Sequence, residues 1–351
     1  EIPVVVDSMD LIAEPLLAWY DAGRRVLPWR EEPTPYHVWL SEIMLQQTRV
    51  EAVRPYYDRF LRELPDIGSL AAVEEEKLLK LWEGLGYYNR ARNLKKSAMQ
   101  IMSEYDGKMP GDYDSLIKLT GIGSYTAGAI SSIAFGNAVS AVDGNVLRIL
   151  SRLRMDDRDI LDAGVRKAVG EEIKGIMPVS RPGDFNQALM ELGATVCIPN
   201  GSPRCEECPW NRLCQARIQN RISEYPKKAS RKQRSIEKKT ILVIRYGRQV
   251  ALRQRPKRGL LAGLYEFPSL EGIQKEEQVI AYLKELGVMP LRIQKLRDSK
   301  HVFTHKEWHM TGYLIRVDEL MGMGEYVFVD PEEIRDRYPV PSAFAAYMDM
   351  I

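Results

Sequence analysis

The sequence predicts a multidomain protein, an all-α domain followed by an α+β domain. Three observations carry that reading. From residue 11 to about residue 220, apolar residues recur at three- and four-residue spacing in segments of ten to fifteen, and period-two patterns are nearly absent. Residues 225–239 hold seven Lys/Arg against one acid and almost no apolar side chain, which marks a basic linker placed to lie near phosphates. From Thr240 onward, short β-branched runs replace the helical period. The expected division is 9–220, 221–239 and 240–351, with a mainly antiparallel sheet in the last part.

Taken in order, the helical segments are 11–20, 37–60, 74–87, 90–105, 113–120, 126–134, 145–153 and 164–176. Breakers such as Leu64-Pro65-Asp66, Asp106-Gly107 and Arg181-Pro182-Gly183 separate them. In the second domain, 240–245, 249–253, 309–317 and 325–329 read as strands. Residues 278–286 read as a helix closed by Gly287, and 341–349 as another.

Composition excludes several classes. The chain has 351 residues, 45% hydrophobic and 28% charged, enough apolar surface to offset chain entropy, so dominant disorder is excluded. No apolar run approaches the eighteen or so residues of a membrane span. Fifty basic and 48 acidic side chains give a net charge of +2, so any nucleic-acid surface must be local. No basic region leads into an apolar run near the N-terminus, so no signal peptide is expected. Met9-Asp10-Leu11-Ile12 reads as a native start, with 1–8 extra to it.

Four motifs carry chemistry. In Leu119-Thr120-Gly121-Ile122-Gly123-Ser124-Tyr125-Thr126-Ala127, two glycines sit between a helix and a small-residue helix. Glycine permits positive φ and close approach, and the N–H groups of the following helix then face outward, which suits a phosphate. Gly-x-Gly alone is an ordinary tight turn; the longer context is a helix-hairpin-helix pattern, which grips DNA backbone without reading sequence. In Ala141-Val142-Asp143-Gly144-Asn145-Val146, Asp143 or Asn145 can cap the next helix, and a carboxylate there would also stand near whatever the hairpin presents.

The third motif is Val38-Trp39-Leu40-Ser41-Glu42-Ile43-Met44-Leu45-Gln46-Gln47-Thr48. It is apolar nearly all round, hence buried, and Glu42 shares a stripe with Val38, Trp39, Leu45 and Gln46. A carboxyl there should have a raised pKa, as a general acid near neutrality needs; a structural partner is the plainer explanation. One acid and one ionised carboxylate are the recurring means of cleaving a glycosidic bond, including the bond of a flipped base to its sugar. The fourth motif is Cys197-x7-Cys205-x2-Cys208-x5-Cys214. All four cysteines fall within eighteen residues, which points to one metal centre rather than a disulfide framework. A single Cys-x-x-Cys pair suits iron–sulfur better than a zinc ribbon, though spacing does not settle the metal.

Together these motifs, with Leu-Pro-Trp-Arg (27–30), Gly-Leu-Gly-Tyr-Tyr-Asn-Arg-Ala (84–91) and Phe-Thr-His (303–305), resemble the adenine DNA glycosylases of the MutY family, within the helix-hairpin-helix glycosylase superfamily. The resemblance runs from Leu11 to about Ala346. It implies an all-α glycosylase domain with an iron–sulfur loop and a nudix-like second domain that reads the lesion. It implies excision of adenine mispaired with 8-oxoguanine or guanine in duplex DNA. Glu42 would protonate N7 of adenine, and Asp143 would stabilise the oxocarbenium-like sugar or bond to it transiently. Tyr125 stands where endonuclease III-like enzymes carry a Schiff-base lysine, which implies a monofunctional enzyme.

The same resemblance gives Arg25, Leu27, Trp29, Arg30 and Gln187 as adenine-pocket lining. It gives Gln47, Thr48, Leu85, Tyr87, Gly121, Gly123 and Asn145 as DNA contacts, with Gln47 and Tyr87 entering the stack beside 8-oxoguanine. Phe303, Thr304 and His305 inspect that base, and Cys197, Cys205, Cys208 and Cys214 hold a 4Fe–4S cluster. It also implies a cytoplasmic, nucleoid-associated monomer with no membrane partner. Two departures stand out: the first cysteine gap is seven residues where six is usual, and Thr304 replaces the common serine. Residues 274–287 carry Glu276, Glu277 and Glu285 without the hydrolase arrangement, which argues against a nucleotide hydrolase. Glu42 and Asp143 together argue against a catalytically dead DNA-binding protein. Tyr125 and the second domain argue against a bifunctional endonuclease III-type enzyme.

Overall fold

The computed structural model describes residues 8–229, 234–318 and 324–351. Residues 1–7 and 230–233, and with them most of the segment before Met9 and the middle of the expected linker, lie outside the described residues. The chain forms two compact units, Glu1–Ala72 with Asn93–Ser230, and Val73–Arg92 with Arg231–Ile351. The expected first domain is therefore not one uninterrupted run. Val73–Arg92 joins the second unit because its polar groups find partners there. Lys80 donates to the carbonyls of Ile334 and Tyr338 at 3.1 and 3.3 Å, and Glu83 accepts the Val340 N–H at 3.0 Å.

The first unit is helical throughout. Helices Ala13–Gly23, Gly144–Arg154, Ala163–Ile176 and Pro182–Thr195 share one core, built on residues such as Leu16, Tyr20, Leu150, Ile173, Phe185, Leu189 and Leu192. Burying each such side chain contributes roughly 1.5–3 kcal/mol before entropy is counted. Trp210, from the cysteine-rich segment, enters this core and donates its indole N–H to the Ile12 carbonyl at 3.1 Å. Helix Ser124–Phe135 packs so closely that a Cβ at Gly128 would stand 2.1 Å from the Ser140 carbonyl oxygen. Asn186, wholly buried, ties Ser132 Oγ, Val139 O and Ala141 N together at 2.8, 2.8 and 3.2 Å.

The expected single helix over 37–60 is two, Pro35–Leu45 and Val50–Glu63. Gln47 sits at φ 57°, a left-handed conformation that ends the first helix without a glycine or proline to announce it. Pro35 at the first turn and Thr34, whose hydroxyl accepts the His37 N–H at 3.2 Å, fix where that first helix starts. It is buried on every face, as its composition predicts.

The second unit is built on a mixed sheet. Its strands are β1 (Ser235–Tyr246), β2 (Gln249–Gln254), β3 (Tyr265–Glu266), β4 (Ser269–Glu271), β5 (Arg292–Val302), β6 (Lys306–Val317) and β7 (Val327–Val329). The order is β3-β2-β1-β6-β5, with β4 paired to β1 and β7 to β2. Most pairs are antiparallel as expected, but the long β1–β6 pair is parallel, in register from Ser235↔Lys306 to Tyr246↔Val317. The run Ile241-Leu242-Val243-Ile244 is continuous because β1 is covered on both faces. Ile241 and Val243 face a core that includes Trp308, Phe344 and Tyr347, while Leu242 and Ile244 face one that includes Val279 and Leu283 of helix Glu276–Glu285. β1 starts at Ser235, so Lys238 and Lys239 belong to a strand rather than to the expected linker. The segment 341–349 is a 3₁₀ turn, Ser342–Phe344, followed by helix Ala345–Met348. Among the described residues no helix is long and apolar enough to cross a membrane.

Candidate active site

Helix Pro35–Leu45 brings Glu42 into the first unit's interior, 8% exposed. Helix Ser124–Phe135 opens one residue before Tyr125, whose hydroxyl donates to Glu42 Oε2 at 2.5 Å and lies 3.3 Å from the sulfur of Met190. Burial pushes the Glu42 carboxyl up to about 7; the Tyr125 hydrogen bond and the Arg30 charge pull the other way, and the Asp143 charge adds to the rise. Burial and the neighbouring carboxylates push the Tyr125 phenol well above its ordinary range, so it remains a donor.

Asp143 caps helix Gly144–Arg154. Its Oδ1 accepts the Val146 N–H at 2.8 Å and its Oδ2 accepts from Asn145 Nδ2 at 2.9 Å. Burial raises this carboxyl, and those two donors oppose the rise. Asn145 is fixed in turn, because its Oδ1 accepts from Arg148 at 2.9 Å, and Arg148 also donates to the carbonyls of Gly193 and Cys197. Burial raises both carboxyls, but their surroundings differ. Glu42 holds its proton near neutrality, while Asp143 sits at a helix N-terminus among donors that favour its charge.

Leu27 caps the short helix Pro28–Glu31, and Leu27 and Trp29 are buried, with Trp29 edge-on to Tyr57 at 5.1 Å. Arg25 and Arg30 converge on Glu191, 2% exposed, which accepts from Arg25 Nε, Arg25 Nη2 and Arg30 Nη2, each at 2.8 Å. Burial alone would raise the Glu191 carboxyl, yet hydrogen bonds and charge from Arg25 and Arg30 outweigh it and hold it at about 2. Gln187 and Met190 share helix Pro182–Thr195 with Glu191, at three- and four-residue spacing from Gln187.

In the hairpin, Gly121 takes φ 76°, and a Cβ there would meet Asn93 at 2.6 Å. Gly123 does not adopt positive φ. It is extended, φ −91° and ψ −179°, at the N-cap, where the missing side chain leaves the first N–H groups of helix Ser124–Phe135 uncovered. Gln47 is exposed at its left-handed turn and Thr48 is half-buried beside it.

Leu85, Tyr87, Phe303, Thr304 and His305 all belong to the second unit. Leu85 is buried, and Tyr87 stands half exposed at φ 48°. Phe303-Thr304-His305 forms the tip between β5 and β6, closed by the Phe303 N–H on the Lys306 carbonyl at 2.8 Å. Phe303 is wedged against His301 and Trp308, with ring centroids at 4.6 and 4.9 Å. That leaves Thr304 and His305 exposed, and the Thr304 hydroxyl shares a 2.8 Å hydrogen bond with the Tyr87 hydroxyl. Glu276, Glu277 and Glu285 are exposed on their helix.

Cys197, Cys205, Cys208 and Cys214 are free thiols that line one cavity with Arg152, Leu192 and Trp210. Arg152 approaches Cys197 Sγ at 3.3 Å and donates to the Ile198 carbonyl at 3.1 Å. Among the described residues, no three His, Cys, Asp or Glu side chains converge closely enough to hold a single metal ion.

Sequence reasoning missed Glu191, Met190, Arg148 and Arg152. The available signal was charge within apolar helical stripes, Glu191 between Leu189 and Leu192, and Arg148 and Arg152 among Leu147, Ile149 and Leu153.

A helical unit with a hairpin, a buried glutamate at Glu42 and a second carboxyl at Asp143 defines a class of base-excision proteins, and the comparisons agree. Residues 40–174 match the HhH-GPD superfamily of base excision DNA repair proteins, and residues 240–350 match the NUDIX domain. Over 60% of its length the chain superposes on 97% of endonuclease III from a non-covalent DNA complex, with TM-score 0.53 and 25% identity. It is 37% identical to the adenine DNA glycosylase of Mus musculus over 87% of this chain and 70% of that protein. It is 35% identical to the adenine DNA glycosylase of Buchnera aphidicola subsp. Acyrthosiphon pisum over 88% of this chain and 87% of that protein. The chain belongs to the adenine DNA glycosylase family, and is a DNA N-glycosylase of base excision repair.

Proposed function

We propose that the chain excises adenine paired with 8-oxoguanine, or with guanine, as a monofunctional glycosylase that relies on acid assistance. The observation that carries this is the buried Glu42 carboxyl, raised to about 7 and hydrogen-bonded by Tyr125, with Asp143 close enough to influence it. Glu42 donates its proton to N7 of a flipped adenine. The bond between C1′ and N9 then breaks with its electron pair leaving on adenine. The Asp143 carboxylate faces the oxocarbenium-like sugar, holding it by charge or by a transient bond to C1′, until water adds there and releases a proton. Arg25, Leu27, Trp29, Arg30 and Gln187 line the base pocket. Gln47, Thr48 and Tyr87 contact the opened stack, while Gly121, Gly123 and Asn145 approach the backbone; Leu85, being buried, is not among the contacts.

Four soft thiol donors around one cavity fit a 4Fe–4S cluster. Cys197, Cys205, Cys208 and Cys214 would hold it. Such a cluster supplies cross-linking of the loop, and Trp210 docks that loop on the helical core.

Tyr125 has no amine, so no Schiff base forms and the product is an intact abasic strand. With a duplex bearing one adenine opposite 8-oxoguanine, strand breaks should appear only after alkali. A borohydride-trapped complex as abundant as that of a lysine enzyme would refute the monofunctional reading.

Phe303, Thr304 and His305 inspect 8-oxoguanine. The support is an exposed hairpin tip whose Thr304 hydroxyl is already oriented by Tyr87. Deleting the second unit's C-terminal part would uncover Val73–Arg92, so a point variant is the cleaner test. Thr304→Val keeps the shape and removes the hydroxyl. It should slow excision opposite 8-oxoguanine by about threefold to tenfold, the worth of one hydrogen bond, and excision opposite guanine by less. An unchanged preference between the two pairs would remove Thr304 from the reader.

A further inference from the structure

We propose that Glu191 is a positioning residue for excision, a buried carboxylate that sets Arg25 and Arg30 in place before a base arrives and balances the Arg30 charge facing Glu42. The proposal rests on Glu42 being the acid. Glu191 is 2% exposed and accepts four hydrogen bonds, from the Arg25 backbone N–H at 3.1 Å and from Arg25 Nε, Arg25 Nη2 and Arg30 Nη2 at 2.8 Å each. A carboxylate has about four lone-pair sites, so its capacity is filled and it can serve neither as base nor as ligand. The same guanidinium of Arg30 donates through Nη1 to the Arg25 carbonyl at 3.1 Å, which ties the two ends of the 25–30 segment together.

Helix Pro182–Thr195 thus touches the reaction centre through two adjacent residues, Met190 against the Tyr125 hydroxyl and Glu191 against the two arginines. Glu42 is faced by Tyr125, Asp143 and Arg30, while Glu191 is faced by Arg25, Arg30 and Tyr20. With Glu191 charged, the Arg30 guanidinium is largely neutralised on its far side. With Glu191 uncharged, the full Arg30 charge acts on Glu42 and favours its ionised form.

The test is the pH dependence of single-turnover excision, with binding measured on a duplex carrying an uncleavable adenine nucleoside analogue. Glu191→Gln keeps the shape and removes the charge. It should slow excision roughly tenfold or more, because misplaced groups act once the base is in the pocket, and leave duplex binding within about threefold. It should also move the alkaline fall of the rate to lower pH by about half a unit or more. Glu191→Asp keeps the charge and loses reach, so it should slow excision with that fall near its wild-type position. A Glu191→Gln rate within about threefold of wild type, or a slowed rate with the fall unmoved, would overturn the proposal. If Glu191→Gln does not fold, Glu191→Asp decides, and a rate within about threefold of wild type overturns it. A wild-type profile with no alkaline fall would instead sink Glu42 as the acid, which separates the two failures.

Discussion

Glu42→Gln should abolish base release while leaving duplex binding intact. The amide can still accept the Tyr125 hydrogen bond, so the pocket keeps its shape, but it has no proton to give. Acid–base assistance is commonly on the order of 10²–10⁴-fold, so single-turnover excision should fall by about that factor. A rate within about threefold of wild type would remove Glu42 from the mechanism. Because the carboxyl titrates at about 7, wild-type excision should decline roughly tenfold per pH unit above that value. Stability should move the opposite way in the variant. The folded state holds the Glu42 proton more tightly than the unfolded chain does, so its favourable contribution is fully present below about 4.5 and lost as pH rises through about 7. At pH of about 8 the buried charge costs on the order of 3 kcal/mol, and Glu42→Gln should then raise Tm, with the gain vanishing near pH 4.

The buried acid was legible because a charged residue interrupts a helix apolar on all sides, and composition alone forces that helix inward. The same logic located β1, whose four consecutive apolar residues find cover on two faces. Other elements left weaker marks. β5 is an edge strand with Arg292, Lys295, Arg297 and Lys300 exposed, so its period-two signal is drowned in charge. The break after Leu45 depends on one left-handed glutamine. Val73–Arg92 looks like any amphipathic segment, and amphipathicity does not name the partner that covers it.

Partners far apart in sequence were the least legible. Glu191 meets Arg25 and Arg30 across separations of 166 and 161 residues, and local pattern carries no information about such pairs. The same holds for Arg148, which joins Asn145 to the carbonyl of Cys197. What the residue types did announce was chemistry. Two carboxyls, a tyrosine in the hairpin and four clustered thiols were each visible singly, and folding decided which of them share a site.

Asp143→Asn should be nearly as damaging as loss of the acid, and for a reason that can be told apart. Asparagine is as good an N-cap as aspartate, so the Val146 N–H keeps an acceptor and helix Gly144–Arg154 should still form. One contact is lost. Asn145 cannot turn its amide to suit, because its oxygen is held by Arg148, so two NH₂ groups meet unless the new side chain gives up the cap. Folding stability should therefore fall by only about 1 kcal/mol. What disappears is the negative charge facing the sugar as the glycosidic bond opens. Preorganised electrostatic groups of this kind contribute about 10²–10³-fold, and single-turnover excision should fall by at least that much with duplex binding unchanged. A second signature follows from the coupling of the two carboxyls. The Asp143 charge raises Glu42, so in the variant any residual activity should begin its alkaline decline at lower pH than in wild type. General damage to the pocket would lower the rate without moving that limb. A variant that excises adenine within about threefold of wild type would mean that the sugar is stabilised elsewhere.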